Sequence, residues 1–496
     1  MRQFVSSRGL WVAALVLSLA ACGGGGGGGA ASSASNDIGA RMSASSLVVE
    51  RDTYQRGTGQ PLQLKLLVDR LPGEGFFYRV THTSNAIFGI GKTPLGDGSI
   101  DLQLQLQAPG VLGNGSHVDT VTVEVCLDQA CLRPAAGSPF LVPVTLAVGF
   151  FAPTEAGVPS QPQTALQALS HDLVAAAYSR SQDTLLMVSR TPVAALHVVE
   201  LATGRSRSMP LASAPTSVAV SPDGLHAAVG HDGAVSLVDL GTTASVRRIP
   251  VGTVVGSVVL DASARIHAFG AASTWTPVFV VDTATGSVEP SVARIFGPGF
   301  PVLHPAGTRI YSADRDISPS DIFRVSLGAN GVSAVKDSPY HGEYEICGQV
   351  WAGTLGARLY TACGNIFGST EDVGLDMRYI GSFALAPKSG PAPWGSIATS
   401  VSDSPVSDRL LVLEQDKFIC DPRQDRQIDC FTRVATHAAS TLALLSRNTL
   451  APITVGADRF AQIGRYVFHR PDGRALLLSE LRGAPAANSI RLSTLP

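Results

Sequence analysis

Three stretches of this 496-residue chain set reactive side chains at spacings that could do chemistry. "DRDISPSD", residues 314 to 321, offers Asp314, Asp316 and Asp321 as a calcium loop would. Pro319 stands where such a loop needs glycine and Val325 where it needs a bidentate glutamate, so the stretch reads as a solvated loop. "YHGEYE" groups His341, Glu343 and Glu345, which could act as an acid/base or metal cluster; a polar loop between two strand-rich units is the simpler reading. "FGIGKT" at 88 to 93 has the lysine and threonine of a phosphate loop, but the first glycine would fall at Ala86 and Pro94 follows where a helix must open. It reads as a loop. Neither a GxSxG elbow nor an HExxH motif occurs. No residue is assigned a catalytic or metal-ligating role, and no cofactor is implied.

The cysteines carry more information. Cys22 sits alone, between an apolar run and seven glycines in "LAACGGGGGGG". The other six of the seven cysteines form three local couples, an even set suited to an oxidising compartment. Cys347 and Cys363 lie symmetrically about Leu355, so a hairpin turning at "TLG" brings them opposite each other. Cys420 and Cys430 flank "DPRQDRQID" in the same way, and Cys126 and Cys131 bracket "LDQA". The doubled CxxC pattern of a zinc site is missing, so three short-range disulfides are expected.

Residues 1 to 21 have the build of a secretory signal: Arg2 and Arg8, then "GLWVAALVLSLAA" closing on small residues. The apolar run is well short of the roughly 20 residues a spanning helix needs. "LAAC" resembles the bacterial lipoprotein box. That resemblance implies a diacylglyceryl group on the Cys22 sulfur, cleavage before it and acylation of the new amino terminus; two or more chains give stable attachment where one does not. Gly23, in place of the aspartate that often marks inner-membrane retention, points to the outer membrane. Residues 22 to 43 then form a flexible tether, with a reach of about 25–30 Å.

Charged residues make up 15% of the chain and the net charge is -2, which argues against a nucleic-acid partner or an electrostatic membrane surface. With 51 glycines and 31 prolines, many short strands joined by turns are expected. Between 44 and 150 the chain alternates at period two, as in "LQLKLLV", "DLQLQLQ" and "DTVTVEVCLD", which predicts an antiparallel sandwich. It resembles an immunoglobulin-like domain, except that Cys126 has the parity of the polar face and cannot bridge the two sheets.

After a linker over 151 to 163 the rhythm changes. "SVAVSPDGLHAAVGHDGAVSLVDLGT" gives strand, turn, strand, loop, strand, and "HPAG" at 304 and "RPDG" at 470 repeat its first turn. "SRSQD", "DASAR", "TLGAR" and "SPVSDR" are weaker copies, making seven turns. Residues 164 to 496 resemble the seven-bladed β-propellers of the YVTN-repeat and quinoprotein amine dehydrogenase-like group, with eight blades as the alternative if 304 to 470 holds four short periods rather than three with insertions. "KFICDPRQDRQIDCFTRV" reads as an extra hairpin between the second and third strands of blade six. "VVDTATG" at 280 to 286 resembles part of a quinone-enzyme blade signature, but Glu289 replaces its tryptophan, leaving a tight turn.

The fold class is therefore all-β, an Ig-like sandwich followed by a seven-bladed propeller. Blade seven lacks a strand, and pairing residues 162 to 170 with 489 to 495 would supply it. That polarity places His231, Trp275, Arg315, Tyr344, Phe367 and Trp394 on one face, which would take an unknown protein or small ligand. The reading is a monomeric, lipid-anchored binding or scaffold protein of the cell envelope. A periplasmic enzyme of lactonase or quinoprotein type is the alternative.

Overall fold

The computed structural model describes residues 12–13 and those from 37 to 496 apart from 53–57, 84, 150–156, 242–244, 315–316, 330, 388–394, 417–429, 457, 483 and 485–488. Two compact units emerge, one from the residues before Ala152 and one from those after it. Both are built from strands. Among the described residues the helix is the single turn Pro109–Leu112, and none there is long and apolar enough to cross a membrane.

In the first unit, one sheet orders Val12–Ala13, Phe77–His82, Gly115–Cys126, Phe140–Gly149 and Leu47–Asp52. The other orders Arg41–Met42, Leu62–Leu67, Ile100–Leu106 and Ile87–Pro94. Alternation puts Leu64, Leu66, Leu102 and Leu104 of the second sheet and Val121, Val123, Val142 and Val144 of the first into one shared core. One strand departs from the antiparallel expectation: Leu47–Asp52 runs parallel to Phe140–Gly149. Its partner lies far along the chain, so no hairpin dictates its direction. "FGIGKT" is likewise part of the strand Ile87–Pro94 rather than a loop.

The second unit contains seven successive four-stranded antiparallel meanders, each opened by one of the seven turns read from the sequence. We number these blades one to seven. Blade one is Ala175–Ser179, Thr184–Ser189, Ala195–Glu200 and Ser206–Pro210. Blades two and three merge into a six-stranded sheet because His226–Asp239 and Val246–Leu260 each run through what would otherwise be two strands. Blade seven takes Gln462–His469, Ala475–Leu481 and Ile490–Leu495, and its outer strand comes from before blade one. Thr164–Leu169 pairs antiparallel with Ile490–Leu495, from Thr164 opposite Thr494 to Leu169 opposite Ile490. The missing edge is supplied as expected.

No sheet closes on itself; the ring is made by packing between sheets. The second strand of blade one, Thr184–Ser189, is buried throughout, because Leu185 and Met187 face blade seven while Leu186 and Val188 face blade two. Blade six repeats this: Leu410 and Val412 join blade five, Leu411 and Leu413 join blade seven. Each of the seven inter-blade contacts owns one apolar cluster, and the cluster of Leu185, Met187, Leu476 and Leu478 couples the last blade to the first. These strands read as apolar runs because both faces are covered. A fully buried Leu or Val contributes about 1.5–3 kcal/mol. This is the arrangement of a β-propeller.

At five of the seven joints the first strands of neighbouring blades pack side by side, which places them innermost. Hydroxyls latch them together: Thr216 donates to the Val255 carbonyl, Ser257 to that of Gly299, and the Ser400 and Ser402 hydroxyls accept from the Val467 and His469 amides. On the face of the first turns, Arg180 of blade one donates to Thr354 Oγ1 of blade five at 2.8 Å. These turns are three blades apart, so the guanidinium reaches over the middle of the ring. In the turn of blade five, Gly356 has φ +74° and a Cβ there would fall 2.5 Å from His304 Nε2, which bonds the Gly356 carbonyl. Only glycine fits both demands.

Two of the three expected disulfides are seen, Cys126–Cys131 with Cα atoms 5.1 Å apart and Cys347–Cys363 at 5.4 Å. Cys430 is disulfide-bonded, and Cys420 lies outside the described residues, as does most of the blade-six insertion between Arg409–Asp416 and Thr432–Ala438. Cys126 is fully buried, contrary to its strand parity. The chain folds back over it, with Leu127 and Ala135 amides bonded to the Arg133 and Val125 carbonyls.

Candidate functional site

In each blade, the loop from second to third strand and the link to the next blade emerge opposite the face where Arg180 lies. Trp275 opens the third strand of blade three, Trp275–Asp282, at this rim and is 45% exposed. Its ring meets Phe296 edge-on at 5.8 Å and Phe323 of blade four at 6.0 Å, which holds a large apolar side chain at the surface. Phe323 pairs in register with Asp337, and Asp321 lies two residues before it.

Asp314 and Asp321 bracket the blade-four loop, and both are buried. The Asp321 amide donates to Asp314 Oδ1 at 2.6 Å, and Ser320 Oγ donates to the Asp314 carbonyl. The Asp321 carboxylate accepts from Ser338 Oγ at 3.2 Å, and His341 Nδ1 lies 3.2 Å from its other oxygen. Burial, reinforced by the negative charges of Asp321 and Asp337, pushes Asp314 up to about 6, although the Asp321 amide opposes the shift. Asp337, although exposed at its surface side, is also raised, first by partial loss of water and then by the charge of Asp321. Beside them Tyr344 stacks on Tyr379 at 4.1 Å, and Tyr340 meets Tyr344 edge-on at 4.7 Å. The result is an apolar and aromatic ledge beside a cluster of carboxylates, of which Asp314 and Asp321 are buried and Asp337 is exposed.

Of the six residues expected on the face, Trp275 is exposed there and Tyr344 belongs to the tyrosine cluster. Two are corrected. His231 is fully buried, its Nε2 2.9 Å from Ser236 Oγ and its Nδ1 3.2 Å from the Ala214 carbonyl. The strand His226–Asp239 continues unbroken through Asp232 and Gly233, so His231 is a strand residue rather than a loop residue. Phe367 is 1% exposed because it lies within the strand Asn365–Gly368 and packs between blades four and five. Arg315 and Trp394 lie outside the described residues. Sequence reading missed Asp337, whose only signal was its position on the strand facing the 314–321 loop. Asp314 and Asp321, the two ends of the 314–321 stretch, are buried rather than solvated as expected. Of the "YHGEYE" trio, His341 turns to Asp321 and its amide donates to Glu343, while Glu345 lies by Cys363, so the three do not converge. "VVDTATG" is the tight turn expected, with the Gly286 amide on the Asp282 carbonyl at 2.8 Å.

No family model and no curated protein matches the chain. Among solved structures it is similar to the β-propeller domain of Myceliophteria thermophila Cps50 (Swd1), at 12% identity and a TM-score of 0.47, over 68% of this chain and 100% of that one. The fold stands on the strand order and shared cores described above.

Asp314 makes a pH prediction. Its folded pKa lies above the unfolded value of about 3.9, so the native state holds this proton more tightly and the group lowers stability as pH rises from about 4 through 6. A rise of that size is worth on the order of 2–3 kcal/mol at neutral pH. Asp314→Asn should therefore stabilise the protein by about 1–3 kcal/mol at pH 7.5 and by almost nothing at pH 4. Urea unfolding at the two pH values checks this, and an equal effect at both would contradict it.

Proposed function

We propose that this chain is a lipid-anchored binding or scaffold protein of the cell envelope, probing its surroundings with the blade three to five face. An immunoglobulin-like sandwich serves as spacer, and a propeller of the YVTN-repeat and quinoprotein-like kind presents the site. The exposed Trp275, seated on Phe296 and Phe323 beside the Asp314, Asp321 and Asp337 carboxylates, is the observation that carries the binding assignment. A rim aromatic over apolar support is a typical anchor, and a cation of the partner would meet the indole face and the exposed Asp337 carboxylate. The anchor rests on "LAAC" at residues 19 to 22, behind its signal-like leader and ahead of the glycine tether.

Two measurements test the two halves. Cys22→Ser should move the protein from the membrane fraction to the soluble fraction, and retention at the original level would refute the anchor. Envelope proteins captured on the soluble chain should be held at least tenfold more weakly by Trp275→Ala, with no loss of melting temperature. Equal capture would place the binding surface elsewhere.

A further inference from the structure

The link from blade four to blade five, residues 338–349, carries Tyr340 and Tyr344 of the aromatic ledge and is tied down along its length. Ser338 Oγ donates to Asp321 at 3.2 Å, the Tyr379 amide donates to the Tyr340 hydroxyl at 3.1 Å, and Ile346, 4% exposed, joins the core between the two blades. Asn365 Nδ2 donates to the Glu345 carbonyl at 2.8 Å. The last tie is covalent. Cys347 is bonded to Cys363, which lies in the turn between Arg358–Thr361 and Asn365–Gly368.

Three features distinguish this disulfide from a buried staple. Both of its cysteines are half-buried, whereas Cys126 of the sandwich disulfide is fully buried. A thiol can therefore reach it, since exchange needs access to a sulfur. Cys347 has φ +61° and is followed by Gly348 at +74°. A residue with a Cβ adopts this left-handed region at a cost and keeps it only where its surroundings impose it, so cutting the S–S bond frees Cys347 to leave it. Finally, the exposed Glu345 sets Oε2 3.6 Å from Cys363 Sγ, where an approaching thiolate meets a like charge.

We infer that Cys347–Cys363 is a redox latch for the tyrosine ledge, opened by a dithiol and guarded by Glu345. One thiolate of the dithiol attacks a latch sulfur, the S–S bond breaks to leave a mixed disulfide, and the second thiol displaces it. Two electrons and two protons pass to Cys347 and Cys363, and the reductant departs as a disulfide. Residues 338–349 then loosen and take Tyr340 and Tyr344 with them, while the strands of blade five keep their own ladders. The effect of opening on partner capture rests on the binding face proposed above; the latch itself does not.

Hydrogen exchange of the full chain, read by mass spectrometry on the oxidised and the dithiothreitol-reduced protein, tests this. Amides of 338–349 should exchange about tenfold faster after reduction and recover on reoxidation, while Val350–Ala352 and Arg358–Thr361 keep their protection. Cys347→Ala combined with Cys363→Ala should reproduce the reduced pattern without reductant, and Cys126→Ala combined with Cys131→Ala should not. Thiol alkylation should show the 347–363 pair opening about threefold faster in Glu345→Gln. Unchanged exchange over 338–349 would show that the disulfide does not hold the ledge. Loss of protection throughout blade five would make it a staple of the fold, and an unchanged opening rate in Glu345→Gln would remove the guard. If the exchange results are as expected but the Trp275 face captures nothing, the binding reading fails and the latch stands.

Discussion

Deleting residues 162–170 should abolish the single cooperative unfolding transition of the propeller and expose its last sheet to aggregation. Thr164–Leu169 supplies the outer ladder of blade seven, and Leu169, 6% exposed, seals the cluster that contains Ile490 and Leu492. Gln163 and Gln462 add reciprocal side-chain bonds at 2.8 and 3.1 Å across the same joint. The lost ladder bonds, at about 1 kcal/mol net each, and the exposed leucine contact together cost on the order of 5 kcal/mol or more, comparable with the whole margin of a typical domain. Ile490–Leu495 would also become a free edge, which invites pairing with other chains. Calorimetry and light scattering read both effects. A synthetic peptide of residues 159–172 added in trans should restore part of the transition. An unchanged melting curve would show that the ring does not depend on this strand.

Asp376→Ala should destabilise the propeller by about 3–5 kcal/mol, the cost of stranding buried cationic partners. Asp376 is 1% exposed and accepts from Tyr311 at 2.8 Å, from Arg324 at 2.8 Å and from the Thr370 amide at 2.9 Å. Arg309, 2% exposed, donates to Tyr311 at 2.8 Å and to Ser369 at 3.0 Å, and pairs with the exposed Glu371. Asp376 is thus the buried anion of a network that ties blade four to the outer loop of blade five. Asp376→Asn keeps one acceptor oxygen but loses the charge and the second acceptor, and should cost less than Asp376→Ala. Tyr311→Phe, which removes one hydroxyl, should cost about 1–2 kcal/mol. Urea unfolding of the three variants orders these values. If Asp376→Ala costs under about 1 kcal/mol, the network is not a structural lock.

The same kind of joint recurs in weaker form. Arg207 donates to the Gly241 carbonyl at 2.9 Å, Arg247 to that of Thr283 at 2.6 Å, and Arg358 to that of Ala439, each reaching the turn before the last strand of the next blade. Cations of one blade thereby cap turn carbonyls of its neighbour. These arginines are scattered along the chain without a common motif, since any long donor near the right height serves.

What the sequence determined by itself was local or forced. Each first turn of a blade is a few residues long and carries its own signal, such as "SPDG" or "RPDG", so all seven were legible. The closing strand was legible because a three-stranded last blade leaves an edge that needs a partner, and "QTALQAL" was the strand left over. The 126–131 and 347–363 disulfides followed from short separations, although Cys347 and Cys363 flank the hairpin Val350–Ala352 and Arg358–Thr361 rather than opposing each other within it. Tertiary structure decided the rest. His231 and Phe367 lie within strands rather than in the loops expected of them, on faces that pack inward, because side chains in a strand alternate between faces. The direction of Leu47–Asp52 was set by a partner near Val144, beyond the reach of any local pattern. Asp314, Asp321 and Asp337, and the Asp376 network, each gather residues from separate strands. Their chemistry exists only once strands, and for the Asp376 network blades, pack against one another, since packing removes water and brings distant groups within bonding distance.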